Sequence, residues 1–373
     1  MEKEDKSNIE IKIKELETEI SVLDQKQYAL KILLNAGYGA FANEWFSMYD
    51  IRLAKSITYT SQLVIKWMKQ YVKEKLNLSA IYNDTDSAYF SIIQPIRKLC
   101  IAKNLNYDTL TYEEKSKLFD IISSKIDSTI KEGYDILQDN LNVFEKTLSM
   151  KRELYGDKGI WLGKKMYCIK VIDKEGIQKV PTDKPYVKGF DIAKKSATPK
   201  WIIDILTEYL ELVFEGNKEK IVKFERDKYK EFLNLEPDNF FFIRSVSSFN
   251  NYNDVKSKGV QAHIKGALIY NKIVKEQKLK RQFPIIKEGN RIRFCYVLEP
   301  NNINSNSLGY HINADGTKFI DIALKEYNLK IDYNRQWDVI FLGPARRLTE
   351  AIKMNMNNID KVSFSKFLSK KEK

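Results

Sequence analysis

Two aspartates separated by one residue, Asp84 and Asp86, are the side chains of this sequence best suited to metal chemistry. They lie between two short segments of strand-forming residues, 79–82 and 87–93, which predicts a hairpin with both acids at its tip. Because residues two apart in a strand share a face, both carboxylates would project to one side. Such a pair repels unless a divalent ion neutralises it, and oxygen ligands favour Mg²⁺ or Mn²⁺. An Asx-turn, in which aspartate only satisfies backbone amides, is the alternative interpretation.

A second set of polar side chains lies upstream on a predicted helix. Lys31, Asn35 and Tyr38 stand at i, i+4 and i+7, so they line up on one helix face. The alternative is an amphipathic core helix that stops at a glycine. That alternative leaves a lysine and an asparagine on the face unexplained.

Hydrophobic periodicity predicts the elements that position these residues. It indicates a long helix from residue 8 that ends at Gly37–Gly39, and a second helix at 50–75. The pattern Thr111-Tyr112-Glu113-Glu114 has capping-box spacing and predicts a helix to about residue 136. Further predictions are strands at 141–150, 165–173 and 177–180, a helix from Pro199 to Phe214, a strand-rich insert at 263–300, and a helical tail from 346. A shift in composition places a domain boundary near residue 190.

The charge of the chain favours a polyanionic partner. Its 63 Lys and Arg against 50 Asp and Glu give a net charge of +13, which attracts nucleic acid. The excess is concentrated at 255–297, which we call the basic patch; A·T-rich coding is the alternative source of the many lysines. The patch comprises Lys256, Lys258, Lys265, Lys272, Lys275, Lys278, Lys280, Arg281, Lys287, Arg291 and Arg293.

Composition excludes several classes of protein. No stretch approaches the length of an apolar membrane span, and the N-terminus lacks the apolar core of a secretory signal, so we expect a cytoplasmic protein with no membrane partner. The cysteines, Cys100, Cys168 and Cys295, are odd in number and widely spaced. They predict ordinary buried thiols, not a disulfide framework or a zinc site.

The segment Asp84-Thr85-Asp86-Ser87, flanked by Ile81-Tyr82 and Tyr89-Phe90, resembles motif C of family B DNA polymerases. Upstream, the segment from Lys31 to Ala40 resembles motif B of the same family, with Ala36 in place of its usual Ser and Gly37 in place of a larger apolar residue. Asn83 replaces the usual Gly before the acids, and because Asn tolerates left-handed backbone the turn should survive. The two motifs occur in the family's order, at a compatible spacing.

Three downstream segments extend this resemblance in collinear order. Lys164-Lys165-Met166-Tyr167 resembles the family's Lys-Lys-x-Tyr element. The segment 189–200 is similar to the palm-to-thumb crossing of the replicative polymerases of T-even bacteriophages in particular. Ala262-His263-Ile264-Lys265-Gly266-Ala267 resembles a thumb segment of that group, which makes His263 a structural residue and not a metal ligand.

The resemblance implies an α+β fold with partial helical fingers at 1–41, the C-terminal part of a palm with an antiparallel sheet at 42–190, and a mainly helical thumb with a small strand-rich insert at 191–373. It places the motif C hairpin at 79–93. It implies a DNA-directed DNA polymerase that binds primer–template DNA and deoxynucleoside triphosphates and uses two Mg²⁺ ions, with Mn²⁺ as a substitute.

The resemblance also implies a role for each matched residue. Asp86 and Asp84 would be the catalytic metal ligands, with Asp86 the principal one. Lys31 and Asn35 would bind the triphosphate, and Tyr38 would lie under the nascent base pair. The DNA-binding residues would be Lys164, Lys165, Tyr167 and Lys265.

The sequence contains no segment resembling the family's motif A, and none resembling the acidic motifs of its exonuclease. We therefore expect the C-terminal subunit of a split polymerase, inactive without an N-terminal subunit that carries motif A; a cloned fragment is the alternative. The T-even resemblance further implies that the C-terminal stretch 362–368 binds a sliding clamp, although a docked helix end is the simpler interpretation. A non-catalytic DNA-binding subunit with a relic palm, and an unrelated metal-dependent hydrolase that uses the aspartate pair, are the competing hypotheses for function.

Overall fold

A computed structural model describes residues 2–193, 196–354 and 356. The described chain divides into two compact units, one formed by Met1–Leu110 with Lys117–Arg152 and the other by Thr111–Ser116 with Glu153–Lys373. Helices and small antiparallel sheets make up both units. The predicted α+β class is confirmed, whereas the boundaries of fingers, palm and thumb stay a prediction.

The first unit is mainly helical and holds one two-stranded sheet. Its elements are α1 (Glu2–Phe41), α2 (Ile51–Leu76), β1 (Ala80–Asp84), β2 (Ser87–Phe90), α3 (Ile93–Ala102) and α4 (Tyr112–Asn140), with the first turn of α4 assigned to the second unit. Helix α1 does not stop at Gly37 or Gly39, because neither glycine adopts the left-handed backbone that ends a helix.

Side-chain capping groups define where α2 and α4 begin. The Asp50 carboxylate accepts a hydrogen bond from the Arg52 backbone N–H (2.9 Å) and begins α2, as predicted. At the start of α4, the Glu114 N–H donates to the Thr111 hydroxyl (3.2 Å) and the Thr111 N–H donates to the Glu114 carboxylate (2.8 Å). This reciprocal pair confirms the predicted capping box.

The core of the first unit forms where α2 packs on α4. Met68 and Val72 of α2 are fully buried against Tyr134 and Leu137 of α4. The Trp67 indole N–H donates to the Gly133 carbonyl (3.1 Å), which fixes one helix along the other. Leu78, which precedes β1, and Phe90, the last residue of β2, join the same core. The hairpin is therefore anchored to this core at its base, and its tip does not belong to the core.

The segment 141–150 is not a strand, although its apolar residues predict one. The Leu148 N–H donates to the Gln138 side chain (2.7 Å) where a strand would form a ladder. Leu148 and Met150 still pack against the core between α2 and α4, while Phe144 is fully exposed. The apolar residues of this segment therefore pack on the helix pair α2–α4 and do not form a sheet.

The second unit contains two antiparallel sheets and several helices. Its strands are β3 (Leu154–Gly163), β4 (Met166–Lys174), β5 (Ile177–Gln178), β6 (Tyr186–Lys188), β7 (Phe242–Ser245), β8 (Arg291–Tyr296) and β9 (Ser307–His311). Strands β3, β5 and β6 all pair with β4, and β7, β8 and β9 form a separate sheet in that order. The predictions of β4, of a short β5 and of the turn between them are confirmed, whereas β3 was missed.

The helices of the second unit are α5 (Lys200–Glu215), α6 (Lys218–Phe232), α7 (Ala262–Glu276), α8 (Gly316–Glu326), α9 (Tyr333–Trp337) and α10 (Gly343–Ala351), with a π-helical turn at Asp338–Leu342. The predicted helix after Pro199 is α5, and Pro199 is its N-cap and not its first helical residue. The predicted strand-rich insert is wrong over 262–276, since Ile264, Ala267 and Tyr270 are buried at helical spacing in α7. Of the predicted tail helix, α10 includes the first residues and the stretch 362–368 lies outside the described residues.

One large hydrophobic core joins both sheets of the second unit to its helices. Trp337 is almost fully buried and stacks on Phe341, with ring centroids 4.3 Å apart. Cys168 and Cys295 are buried here and Cys100 is buried in the first unit, all three as free thiols, as predicted. Within the described ranges, no helix is long and apolar enough to cross a membrane.

Candidate active site

The β1–β2 hairpin presents the two aspartates differently. Asp84 is the last residue of β1 and pairs with Ser87 of β2, so Thr85 and Asp86 form a two-residue turn. Asp84 is buried, with 7% of its surface exposed, whereas Asp86 is exposed. The strand-alternation argument fails at Asp86, because this residue lies in the turn and not in a strand.

Hydrogen bonds close the turn around Asp84. The Thr85 hydroxyl donates to the Asp84 carboxylate (3.2 Å), and the Ser87 hydroxyl donates to the Asp84 backbone carbonyl (3.1 Å). Thr85 adopts left-handed backbone with φ +56°, which is strained for a β-branched residue. The turn therefore forms as expected, but the left-handed residue is Thr85 and not Asn83, which is extended within β1.

Helix α2 contributes a contact that the sequence did not reveal. With the Asn83 amide oriented to satisfy both of its polar atoms, its oxygen accepts a hydrogen bond from Lys69 Nζ (3.0 Å) and its nitrogen donates to the Tyr82 carbonyl (3.0 Å). A cation of α2 is thus held one residue from the buried aspartate. Such a pairing depends on how the hairpin packs on the helix, and no local sequence pattern encodes it.

The two carboxylates fit part of a divalent-ion site. They are the hard oxygen ligands that Mg²⁺ and Mn²⁺ prefer, and one of them is exposed at the tip of the hairpin. Among the residues that the structure describes, no group of three or more His, Cys, Asp or Glu side chains is placed to hold a metal. The hairpin thus supplies two candidate ligands.

The motif B residues lie on the C-terminal third of α1. Lys31, Asn35 and Tyr38 are all exposed, Tyr38 with 41% of its surface accessible, and all lie within one continuous helix. The predicted i, i+4, i+7 alignment therefore has the regular helix that it requires. The exposed face is open to a ligand.

In the second unit, Lys164 and Lys165 form the two-residue turn between β3 and β4. Both are exposed, and Lys165 adopts left-handed backbone with φ +59°. Gly189 packs directly beneath the turn: a Cβ at Gly189 would lie 1.9 Å from the Lys165 carbonyl oxygen, and its φ is +68°. Only glycine fits there, so Gly189 sets the position of the basic turn.

Tyr167 is buried just behind this turn, with 1% of its surface exposed. Its ring lies 6.2 Å from the Tyr186 ring, and the Lys188 ammonium stands 5.7 Å from its centroid. The exposed members of the Lys-Lys-x-Tyr element are therefore the two lysines. The tyrosine fixes the strand from which they extend.

The basic patch includes α7 and the chain segments on either side of it. Gly266 of this helix approaches the sheet so closely that a Cβ there would lie 3.0 Å from the Gly309 backbone nitrogen. That contact sets the position of the neighbouring Lys265, which is half-buried. Several cations of the patch are exposed and make no ion pair with a described residue: Lys256, Lys258, Lys275, Lys278, Lys280, Arg281 and Lys287. The surface is suited to phosphate groups.

His263 lies beside Lys265 in the first turn of α7. Its ring is half-buried against Phe294, with centroids 6.0 Å apart. Burial lowers the pKa of His263, and the nearby Arg244 guanidinium lowers it further. The side chain is thus packed within the fold, in keeping with the structural role expected for it.

Comparison with known proteins identifies the family. The family model of DNA polymerase family B matches residues 2–334, and this chain belongs to that family, which confirms the sequence-based resemblance. The chain is 27% identical to the DNA-directed DNA polymerase of Escherichia phage RB69 over 346 residues, which are 87% of this chain and 37% of the phage protein. It is 25% identical to the DNA-directed DNA polymerase of Enterobacteria phage T4 over 366 residues, 92% of this chain and 39% of that protein.

The similarity extends beyond phages in a shorter region. DNA polymerase 1 of Aeropyrum pernix is 32% identical over 111 residues, which are 30% of this chain and 11% of that protein. The chain spans about two fifths of the length of its two phage relatives.

Proposed function

We propose that this chain is the C-terminal part of a DNA-dependent DNA polymerase and that the β1–β2 hairpin carries carboxylates essential for nucleotidyl transfer. The observation that carries the proposal is the aspartate pair itself, with Asp84 buried and Asp86 exposed on a two-residue turn. This turn lies within the residues that the family model matches.

In the proposed reaction the primer 3′-hydroxyl attacks the α-phosphorus of a deoxynucleoside triphosphate. A phosphorus–oxygen bond forms, the bond to the β-phosphate breaks, the hydroxyl loses its proton, and pyrophosphate leaves. Two divalent ions, Mg²⁺ or Mn²⁺, would neutralise charge on the phosphates and favour loss of the hydroxyl proton. Asp86 and Asp84 would hold these ions. The exposed position of Asp86 suits a ligand that meets both metal and substrate.

The other candidate residues would orient the substrates. Lys31 and Asn35 would bind the triphosphate from the exposed face of α1, and Tyr38 would lie under the nascent base pair. Lys164 and Lys165 would enter the minor groove of the primer–template. Tyr167, which the resemblance places at the primer end, is buried behind the two lysines, so it would act by positioning the strand β4 from which they extend. The basic patch, which includes Lys265, would hold the duplex backbone without reading its sequence. DNA binding should therefore weaken steeply as the salt concentration rises.

A two-metal centre requires carboxylates beyond one aspartate pair. We propose that an N-terminal polymerase subunit with motif A supplies them, which is in keeping with the chain's span of about two fifths of its phage relatives. A sliding clamp is a further proposed partner, through the stretch 362–368.

Primer extension tests the proposal. The chain would be assayed on a primed DNA template with Mg²⁺ and all four deoxynucleotides, alone and with the N-terminal subunit. We expect extension only in the mixture. Extension by the chain alone would mean that a further metal ligand lies within this sequence, and no extension in either assay, with DNA binding retained, would favour a non-catalytic DNA-binding subunit.

A further inference from the structure

Lys69 of α2 and Asn83 of β1 form a contact that links this helix to the β1–β2 hairpin just before its turn. The Asn83 amide oxygen accepts a hydrogen bond from Lys69 Nζ (3.0 Å), and the amide nitrogen donates to the Tyr82 carbonyl (3.0 Å). The opposite orientation of the amide would set two acceptors against each other and two donors against each other. The two partners therefore hold the Asn83 side chain in one orientation.

Lys69 extends from a helix whose position is fixed. Its neighbour Met68 is fully buried, as is Val72 one turn further along α2, in the core that this helix shares with α4. The Trp67 indole N–H donates to the Gly133 carbonyl (3.1 Å), which fixes α2 along α4. Lys69 itself is half-buried. Its ammonium group thus contacts the hairpin from a rigid part of the first unit.

Asn83 immediately precedes Asp84 in β1. Successive side chains of a strand point to opposite faces, so the contact with Lys69 on one face determines which way the Asp84 carboxylate points on the other. Asp84 is the last residue of β1 and pairs with Ser87 of β2. A rotation of β1 about its axis, or a slip by one residue, would break the hydrogen bond to Lys69 and redirect the Asp84 carboxylate at the same time.

The contact also keeps a positive charge off the aspartate pair. Lys69 donates to a neutral amide and makes no ion pair with a residue that the structure describes. An ammonium group bound to Asp84 or Asp86 would occupy carboxylate oxygens that a divalent ion needs. Asn83 thus holds a nearby cation without using either candidate metal ligand.

We propose that Lys69 is a positioning residue for nucleotidyl transfer, and that it acts through Asn83 to hold β1 in the orientation in which Asp84 binds a divalent ion. This inference rests on the proposed function of the aspartate pair. Lys69 orients a metal ligand and is not a ligand itself. Replacement of residues that hold a metal ligand in place typically lowers metal affinity or activity by about 10- to 100-fold.

Hydrogen exchange of the full chain, measured by mass spectrometry, tests the contact without a metal or a polymerase assay. Lys69→Met removes the ammonium group and keeps most of the side-chain volume, so the amides of β1 and β2 should exchange about ten-fold faster. Lys66→Met is the matched control, because it removes an exposed charge from the same helix one turn away and should leave the exchange unchanged. Equal protection of the hairpin in Lys69→Met and in the parent chain would overturn the proposal.

Binding of Mn²⁺ tests the effect on the metal ligands. It would be followed by electron paramagnetic resonance on the chain combined with the N-terminal subunit and primer–template DNA. We expect Lys69→Met to weaken Mn²⁺ binding by about ten-fold, whereas the loss of a nearby positive charge alone would strengthen it. Lys69→Arg keeps a cationic donor and should bind Mn²⁺ more tightly than Lys69→Met. Unchanged or tighter binding by Lys69→Met would contradict the positioning role.

Asn83→Ala tests whether Lys69 acts through Asn83. It should weaken Mn²⁺ binding as much as Lys69→Met does, and the double variant should bind no more weakly than either single variant. Additive losses would reject this route.

Asp84→Asn tests the proposed function separately. If it leaves Mn²⁺ binding unchanged, the proposed role of the aspartate pair is wrong. If it weakens binding and Lys69→Met does not, the proposed function stands and this inference alone is rejected.

Discussion

Two turns of this molecule share one local geometry and carry opposite charge. Thr85-Asp86 joins β1 to β2, and Lys164-Lys165 joins β3 to β4; each is a two-residue connection with one residue in left-handed backbone. The first turn closes a two-stranded sheet, while the second belongs to a four-stranded sheet on a large core. The same kind of two-residue turn therefore presents a carboxylate in the first unit and two ammonium groups in the second.

The two turns are supported in different ways. The acidic turn is held by hydrogen bonds from the Thr85 and Ser87 hydroxyls to Asp84 itself. The basic turn is held by shape, because Gly189 packs against the Lys165 carbonyl with no room for a side chain. We therefore expect substitutions at the acidic turn to affect chemistry most, and those beneath the basic turn to affect stability most.

The largest expected effect is the loss of nucleotide addition in Asp86→Asn. Asparagine keeps the size of the side chain and removes its charge, so the reconstituted polymerase should lose activity by about a thousand-fold or more. Primer extension with the N-terminal subunit measures the loss, and DNA affinity should change little. The control is Asp127→Asn, which removes an exposed carboxylate from α4. Normal extension by the Asp86 variant would exclude the proposed role of this residue.

The next largest effect concerns the support of the basic turn. Gly189→Ala would drive a methyl group into the Lys165 carbonyl at a backbone φ of +68°, and we expect it to lower the free energy of unfolding by about 2–4 kcal/mol. Denaturant unfolding monitored by circular dichroism measures the change. Gly163→Ala is the matched control, because Gly163 immediately precedes the same turn and a Cβ there would have no neighbour within 4 Å. Equal destabilisation by both variants would contradict the close-packing argument.

A smaller effect is expected on DNA binding. Replacing both Lys164 and Lys165 by alanine removes two exposed charges from the turn, so affinity for primer–template DNA should fall by about ten-fold and the salt dependence should become shallower by about one to two phosphate contacts. Fluorescence anisotropy at several salt concentrations measures both quantities. The control is the pair Lys325→Ala and Lys330→Ala, two exposed lysines of the same unit. If the control weakens binding equally, the effect reflects net charge and not the turn.

The sequence predicted those parts of the fold in which a local signal and the tertiary structure agree. The capping box at Thr111 and the helix after Asp50 form as predicted, because side chains within the first turn of each helix satisfy its backbone donors. The strand β3 was missed since Gly156 and Gly159, within it, weaken the strand pattern; its pairing with β4 supplies what local propensity lacks.

The residues of the candidate site were predicted from residue type and spacing and from motif resemblance. Alternation along a strand placed Asp84 and Asp86 on one face, but a two-residue turn leaves one buried and the other exposed. Burial of Tyr167 and the contact of Lys69 with Asn83 depend on packing between elements distant in sequence. No spacing rule reports such contacts, so the exposure and the partners of these residues could be read only from the structure.

The smallest expected effect is a pH dependence in the thermal stability of the second unit. Both histidines of the chain, His263 and His311, lie in the second unit, and burial lowers the pKa of each, with Arg244 a further cause at His263. A histidine whose folded pKa is lowered contributes full stability above its unfolded pKa, and the contribution declines as pH falls below about 6.5 because the unfolded chain binds the proton more readily. Acidification from pH 8 to pH 5 should therefore lower the melting temperature of the second unit by about one or two degrees through these residues. The variant with His263→Gln and His311→Asn should lose that part of the pH dependence, as measured by thermal unfolding at both pH values, and an unchanged pH dependence would show that neither histidine is its source.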